Sequence, residues 1–320
     1  MTTDNPKTTQ IRISDSEPGL PFSKGLMASQ VMVTGLSPFR AYQVAEAIED
    51  RLLSSGRAAV SSEELWELAH ATITELAGER YARNYRRWRE VERLDVPLVI
   101  LIGGATGVGK STIATHLAAR LGIVRVQATD AVREVMRSML SKELMPSLHV
   151  STYQSDSGVR EAPVRREDAL QLGFWRQIHD VSVGVHALIE RAAAERTSVV
   201  IEGAHVVPGF FDVESFEDRI LAVPFVVTVE DEERHLAHFA AREDAVGARP
   251  AERYVKGFDN IRRLQDYITS QAMLHEVPVI PNHSFDRSIA AAIELVMERA
   301  TLRAERSARE AIAVEGGTNA

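Results

Sequence analysis

The chain has 320 residues, of which 45% are hydrophobic and 26% charged, and its formal net charge is −8. Nucleic-acid-binding proteins usually present a basic face, so this balance argues against such a partner, and the absence of cysteine excludes disulfides and thiol chemistry. Because no apolar run approaches the about 18 residues of a membrane span, and residues 1–10 lack a secretory signal, we expect a cytoplasmic protein without a membrane partner.

Changes in composition divide the chain into four predicted segments. Polar residues 1–9 predict a disordered tail, and residues 10–94 predict a mainly helical domain. Strand and helix patterns alternate over 95–304, and a polar, flexible tail is expected over 305–320. The boundary near residue 94 lies where a charged helical run gives way to a buried strand.

Turn and capping signals predict four helices in the first domain. Ser23 and Ser37 are expected to cap the first two, and a proline follows Ser37 at the first helical position. Ser61 or Ser62 begins the third helix, because a glutamate follows with the spacing of a capping box, and Gly78 ends it. A basic, aromatic run forms the fourth.

The second domain predicts an α/β fold, in which a parallel sheet is flanked by helices. Continuous apolar runs suit strands that are buried on both faces. The strands are expected at 98–102, 123–127, 198–201, 220–229 and 277–280. The helices are expected at 110–121, 131–140, within 166–195, and at 232–242, 254–274 and 286–304. Ligands of such sheets bind beyond the carboxyl ends of the strands.

A glycine-rich loop after the first of these strands is the strongest functional signal. From Gly104 to Ser111 it fits G-x-x-x-x-G-K-[ST], which predicts a P-loop NTPase-type domain that binds a nucleoside triphosphate. Lys110 can reach the β- and γ-phosphates, and the Ser111 hydroxyl can bind Mg²⁺. The following helix directs its positive end toward the same anion. The predicted nucleotide-binding residues are Gly104, Ala105, Thr106, Gly107, Val108, Gly109, Lys110, Ser111 and Thr112.

A carboxylate and two arginines follow the second strand. Asp130 precedes Arg133 and Arg137 by three and seven residues, a spacing that places all three on one helical face. As a substrate site, Asp130 would orient an attacking hydroxyl while the arginines hold an anionic acceptor. Alternatively, Asp130 is only a helix cap and the arginines are a solvated face.

Glu202 ends the third strand, and His205 follows in the next loop. Glu202 is expected to hold a water bound to Mg²⁺, or else to pair with a nearby base. His205 is either a donor to a substrate phosphate or an ordinary packed polar residue.

Arginines flank a Gly-Ala-Arg-Pro turn between residues 235 and 254, which favours a lid that closes over the transferring group. Arg242 or Arg253 would act from this lid, unless the segment is an ordinary exposed loop. His235 and His238 could suggest a metal, but no acidic residue at a matching distance completes a zinc site.

These segments together resemble the 2-phosphoglycerate kinases, with matching stretches in the family's order over most of residues 97–290. The stretches are GGATGVGKSTIA, TDAVREVMR, LMPSLHVSTY, VIEGAHVVPG, HLAHFAAR, RYVKGFDNIRRLQDY and PVIPN. The resemblance implies ATP and Mg²⁺ as cofactors, 2-phosphoglycerate as the acceptor and 2,3-bisphosphoglycerate as the product. It implies catalytic roles for Lys110, Asp130 and a lid arginine.

The first domain resembles an ATP-cone, a helical nucleotide-binding module, through LPFSKGLMASQVMVTGLSPFRAYQVAEAIE and YARNYRRWR. Lys24 is its candidate phosphate contact. Two other functions stay open from the sequence: a kinase for another small acidic or nucleoside acceptor, and a non-catalytic ATP sensor. The sequence also leaves open whether the chain forms a homo-oligomer.

Overall fold

A computed structural model describes residues 11–15, 20–92, 94, 96–159, 166–246 and 251–317. The predicted tail at 1–9 lies outside this part of the chain. The chain divides into two compact units, one of residues before 94 together with those from 300 onward, the other of residues 94–299. None of the helices in the described ranges combines the length and hydropathy that a membrane span requires.

The first unit is mainly helical, as predicted, with one short pair of parallel strands. Its elements are β1 (Arg12–Ile13), α1 (Lys24–Met32), α2 (Pro38–Ser54), β2 (Ala59–Val60), α3 (Ser62–Ala77) and α4 (Glu79–Val91). The Ser23 hydroxyl caps α1, and Ser61 forms a reciprocal capping box with Glu64. Apolar faces of the helices form a separate core, in which Val31 and Ile48 are fully buried.

Lys24, the predicted phosphate contact of this unit, is engaged by carboxylates. Its Nζ lies 3.0 Å from Glu49 and 3.7 Å from Glu46, and 5.2 Å above the Tyr42 ring. The hydrogen bond with Glu49 raises the pKa of Lys24. A phosphate at this position would therefore compete with two carboxylates of the same unit.

The second unit contains a five-stranded parallel sheet in the order β4-β5-β3-β6-β7. Its strands are β3 (Leu98–Gly103), β4 (Arg125–Ala128), β5 (Val199–Glu202), β6 (Leu221–Thr228) and β7 (Val279–Pro281). All five predicted strands are confirmed, with ends shifted by a few residues. Every residue of the central strand β3 is buried, as its continuous apolar run predicts.

Helices lie between the strands of this unit and after the last of them, where α11 continues past residue 299 into residues grouped with the first unit. They are α5 (Lys110–Arg120), α6 (Thr129–Met139), α7 (Arg166–Glu195), α8 (Glu232–Val246), α9 (Ala251–Lys256), α10 (Phe258–Leu274) and α11 (Phe285–Gly317). Short 3-10 helices cover Pro146–His149, Thr152–Gly158 and Glu214–Phe216. The predicted P-loop NTPase-type fold, a parallel sheet flanked by helices, is confirmed in this unit.

Several helix boundaries differ from the predicted ones, and α8, for example, ends at Val246 rather than 242. Helix α6 begins at Thr129 rather than 131, so Asp130 lies inside its first turn and is not its cap. The predicted helix over 254–274 is interrupted at Gly257, where a Cβ would lie 2.5 Å from the Tyr153 ring. Helix α11 continues to Gly317 where a flexible tail from 305 is expected, because its alanines, glutamates and arginines favour helix.

Candidate active site

The glycine-rich loop joins β3 to α5, and its backbone takes conformations that other residues rarely adopt. Gly104 has φ +138° and Gly109 has φ +92°. A Cβ on Gly104 would lie 2.3 Å from the Val227 carbonyl oxygen, and one on Gly109 would lie 2.6 Å from Asn282 Nδ2. Positive φ and close packing together exclude side chains at both positions.

Lys110 and Ser111 occupy the first turn of α5. Lys110 is 8% exposed, and its Nζ donates to the carbonyl oxygen of Ala105 at 2.7 Å. The Ser111 hydroxyl donates to Glu202 Oε1 at 2.8 Å. This contact follows from the sheet, because β5 pairs with β3 in a register that aligns Glu202 with Ile102, just before the loop.

A cleft of about 540 Å³ lies at this end of the sheet. It brings together the loop and the two predicted carboxylates, which come from three different strand ends. Its lining residues are Thr106, Gly107, Gly109, Lys110, Ser111, Thr112, Ala128, Asp130, Glu202, Gly203, Ala204, His238, Phe239, Asn282 and Phe285. An open cleft therefore lies beyond the carboxyl ends of the strands, where parallel sheets of this kind bind their ligands.

Asp130 and Arg133 contact each other beside the cleft, whereas Arg137 lies apart. The Asp130 carboxylate is 68% exposed and lies 3.6 Å from Arg133 Nε. Arg133 is largely buried, and its Nη1 donates to the carbonyl oxygen of Leu148 at 2.8 Å. Arg137 instead pairs with Glu134 and is not among the residues that line the cleft.

His205 is fully buried, and both ring nitrogens are engaged. Nδ1 lies 2.9 Å from the Thr129 hydroxyl, and Nε2 lies 3.1 Å from Gln177 Oε1. The Gln177 amide in turn donates to the carbonyl oxygen of Ser147 at 2.6 Å. His205 is therefore a packed polar residue, the second of the two alternatives. It links the start of α6 to α7 and, through Gln177, to the 3-10 helix Pro146–His149, and it does not line the cleft.

Burial lowers the pKa of His205 to about 4. In an unfolded chain the ring takes up a proton near pH 6.5, so between pH 6.5 and 4 the unfolded state binds more protons. We expect the free energy of unfolding to fall as pH drops through this window, by up to about 1.4 kcal/mol per pH unit for this group. Denaturant unfolding at several pH values measures the slope.

The His205→Gln variant is the control for this pH dependence, because it keeps polar atoms at the site but cannot titrate. Its unfolding free energy should change less between pH 6.5 and 5 than that of the wild type. His235, whose pKa burial also lowers to about 4, still titrates in the variant, so a reduced slope is expected rather than a flat profile. Equal slopes would show that His205 does not resist protonation in the folded protein.

Of the two arginines of the predicted lid, the structure describes the side chain of one. Arg242 lies in α8, and its side chain is outside the described part of the chain. Arg253, on α9, is exposed and donates from Nη2 to the Ser151 hydroxyl at 2.8 Å. Tyr254 holds α9 in place, since its ring stacks on Phe239 with centroids 4.8 Å apart.

The segment Ser147–Ser151 thus connects three predicted site residues that are distant in sequence. Arg133 binds its Leu148 carbonyl, Arg253 binds its Ser151 hydroxyl, and His205 reaches Ser147 through Gln177. By itself the sequence of this segment carries no chemical motif, and only the family resemblance pointed to it. The structure makes it the common anchor of these three side chains, although none of its own residues is among those that line the cleft.

Sequence reasoning also missed three side chains that bind the phosphate loop from outside. His235 Nε2 lies 2.8 Å from the Thr106 carbonyl oxygen, His238 Nδ1 2.9 Å from that of Gly107, and Asn282 Nδ2 2.9 Å from that of Val108. The spacing of three residues between the histidines, which places both on one face of α8, was the available signal. Within the described ranges no three potential ligands gather around a metal position.

Comparison with known proteins finds similar chains over nearly the whole length. A 2-phosphoglycerate kinase of Thermococcus kodakarensis is 40% identical over 291 residues, 90% of this chain and 98% of that protein. A 2-phosphoglycerate kinase of Methanothermobacter thermautotrophicus is 42% identical over 263 residues, 82% and 85% of the two chains. One of Methanopyrus kandleri is 36% identical over 307 residues, 96% and 92%. No protein-family model matches the chain.

Solved structures resemble only part of the chain. A gluconokinase from Sinorhizobium meliloti has a TM-score of 0.38 and 16% identity, covering 65% of this chain and 97% of that one. A shikimate kinase from Acinetobacter baumannii, solved with shikimate, has a TM-score of 0.36 and 16% identity, covering 65% and 96%. Because these TM-scores and identities are too low to support an argument, the fold is assigned from the topology of the sheet.

Proposed function

This chain belongs to the 2-phosphoglycerate kinase family, and from that premise we propose that it transfers the γ-phosphoryl group of ATP to 2-phosphoglycerate. The products are 2,3-bisphosphoglycerate and ADP. The observation that carries the proposal is one cleft that holds a phosphate-binding loop and, from different strand ends, Asp130 and Glu202. A nucleotide on the loop and an acceptor beside Asp130 would meet within this cleft.

The nucleotide side rests on the loop and the first turn of α5. Backbone N–H groups of the loop and the positive end of α5 would bind the β- and γ-phosphates. Lys110 would exchange its bond with the Ala105 carbonyl for the phosphate oxygens. Because its ammonium is already held at the loop, the exchange needs only a short movement of the side chain.

The Ser111 hydroxyl and the Glu202 carboxylate fit a magnesium ion. Their oxygens are 2.8 Å apart at the cleft, and oxygen donors of this kind suit Mg²⁺. In such sites the protein supplies one or two ligands, and waters and substrate phosphates supply the rest. When bound there, Mg²⁺ would supply positive charge next to the β- and γ-phosphates. Ser111 would bind it directly, and Glu202 would hold one of its waters.

The acceptor side rests on Asp130 and the arginines near it. Asp130 would accept the proton of the attacking hydroxyl, and Arg133 Nε, 3.6 Å away, would orient its carboxylate. The acceptor carries a phosphate and a carboxylate, so it needs further cations. Arg253, exposed and bonded to Ser151, and Arg242 on α8 would supply them.

In this mechanism the phosphoryl group passes directly from ATP to the acceptor hydroxyl. The transition state is loose, so little covalent assistance is needed from the protein. Its residues act by holding the two anions in line and by neutralising charge that would keep them apart. An overall acidic chain can do so if the few cations at the site act together: Lys110 lines the cleft, and Arg133 lies next to Asp130.

The proposal is tested by a phosphate-transfer assay over a panel of small acids, with the product identified by mass. We expect ADP release and a bisphosphorylated product with 2-phosphoglycerate, and little of either with 3-phosphoglycerate, glycerate or nucleosides. Rapid transfer to a different acceptor would replace the assigned substrate and keep the reaction class. ATP binding without turnover on any acceptor would contradict the enzymatic function.

The acceptor role of Asp130 is tested by Asp130→Asn in the same assay. Asparagine keeps the size and a hydrogen-bonding oxygen, but it is a much weaker proton acceptor, so kcat should fall on the order of tenfold or more. The KM for ATP should change little, since the phosphate loop is untouched. An unchanged kcat would show that the hydroxyl is not oriented by this carboxylate.

A further inference from the structure

Four consecutive carbonyl groups of the phosphate loop are bound by side chains. Lys110 binds the Ala105 carbonyl, and the next three carbonyls, of residues 106–108, are bound by His235, His238 and Asn282. A backbone carbonyl and the N–H that follows it belong to one rigid peptide plane and point in opposite directions. Fixing the carbonyls therefore fixes the direction of the following N–H groups.

The contacts of His235 and His238 define their tautomers. A carbonyl oxygen can only accept, so His235 donates from Nε2 and His238 donates from Nδ1. His235 is fully buried, with its ring stacked on Phe239 at 5.5 Å and edge-on to Phe258 at 5.4 Å. These aromatic neighbours leave the ring little freedom to leave the loop.

Asn282 is oriented in the same way. Its Nδ2 donates to the Val108 carbonyl at 2.9 Å, while its Oδ1 accepts from the Ser288 hydroxyl at 3.1 Å. Ser288 is 1% exposed, so the amide is held in one orientation by a buried partner. These side chains also lie close against the loop backbone. A Cβ on Gly107 would lie 2.4 Å from Phe239 and 3.0 Å from His235 Nε2.

We propose that His235, His238 and Asn282 form a carbonyl clamp that holds the phosphate loop in its anion-binding conformation before ATP arrives. They are positioning residues, which act on the nucleotide only through the loop backbone. The clamp explains why α8, the helix that leads into the lid, carries two histidines on its loop-facing side. This inference rests on the proposed function insofar as the bound anion is taken to be ATP.

The test compares variants that remove the donor with variants that keep it. His235→Leu removes the N–H, His235→Gln retains a donor of similar reach, and Asn282→Asp replaces the donor by a carboxylate of the same shape. The Kd for ATP is measured by displacement of a fluorescent ATP analogue, with Lys110→Ala as the baseline for nucleotide bound elsewhere. The KM for 2-phosphoglycerate is measured in parallel.

We expect His235→Leu and Asn282→Asp to weaken ATP binding about tenfold, because a loop carbonyl loses its partner and the loop samples other conformations. His235→Gln should stay within about twofold of the wild type. The KM for 2-phosphoglycerate should not change. The matched control is Asn84→Asp in the first unit, where the amide donates to the Thr34 carbonyl at 3.1 Å. This variant should bind ATP at the phosphate loop with wild-type affinity.

The clamp is overturned if His235→Gln weakens ATP as much as His235→Leu, or if Asn282→Asp acts no more strongly than Asn84→Asp. Should His235→Leu fail to fold, the same comparison is made at the half-buried His238. There His238→Leu removes the donor, and His238→Asn retains one near the position of Nδ1. A wild type that binds ATP but transfers nothing to 2-phosphoglycerate would contradict the proposed function and leave the clamp comparison intact.

Discussion

Replacing Lys110 with alanine should lower kcat/KM for phosphoryl transfer by about 10²–10³-fold, as the loss of one preorganised charge-stabilising group does in other enzymes. The ammonium is buried beside the loop, and in the proposed mechanism it stabilises the charge that develops on the γ-phosphate oxygens. Since alanine also leaves the Ala105 carbonyl without this partner, ATP affinity should fall as well. ADP release with 2-phosphoglycerate measures the first effect and nucleotide titration the second.

Lys142→Ala is the matched control for this substitution, because Lys142 is exposed on the same unit and does not line the cleft. It should retain the activity of the wild type. If Lys110→Ala releases ADP at the wild-type rate, the loop is not the site of transfer, and the whole assignment of the cleft fails with it.

The second large effect is expected from Glu202→Gln. Glutamine keeps the shape of the side chain and can still accept the Ser111 hydroxyl, but the negative charge on the metal side is lost. We expect activity at limiting Mg²⁺ to fall by about 10–100-fold, the range typical for partners that support a metal site. A Mg²⁺ titration of the transfer rate should show half-saturation at a higher concentration.

A control substitution at a surface glutamate separates the effect of losing the Glu202 carboxylate from that of changing the net charge of the protein. Glu190 lies on α7 and pairs with Arg219 away from the cleft, so Glu190→Gln should leave the Mg²⁺ titration unchanged. If Glu202→Gln shows the wild-type Mg²⁺ dependence, Glu202 does not act through the metal.

Much of the fold and part of the site could be predicted because the signals are local. The strand β3, the glycines and the first turn of α5 are contiguous, and each has a residue type that its backbone or burial requires. The position of Glu202 also followed, since a parallel sheet aligns the carboxyl ends of its strands. The break at Gly257 was missed because the apolar periodicity continues across it.

The partners of the side chains could not be predicted in this way. Arg133 and Arg137 are equivalent in spacing, yet one is buried against the Leu148 carbonyl and the other pairs with Glu134. The sequence left His205 open between a donor to substrate and a packed residue, and its burial next to Gln177, 28 residues earlier on α7, decides for the packed residue. Periodicity specifies a face of a helix, and tertiary packing specifies what that face contacts.

By itself, the sequence determined that this chain folds a parallel sheet around a loop for phosphates, because glycine conformations, strand burial and helix capping depend on neighbouring residues. Only the tertiary structure decided how that loop is held. His235 and Asn282 bind the loop from positions 129 and 174 residues away from their partners. Contacts over such separations arise because α8 lies against the loop and because β7, paired with β6, ends beside it, and no local pattern encodes them.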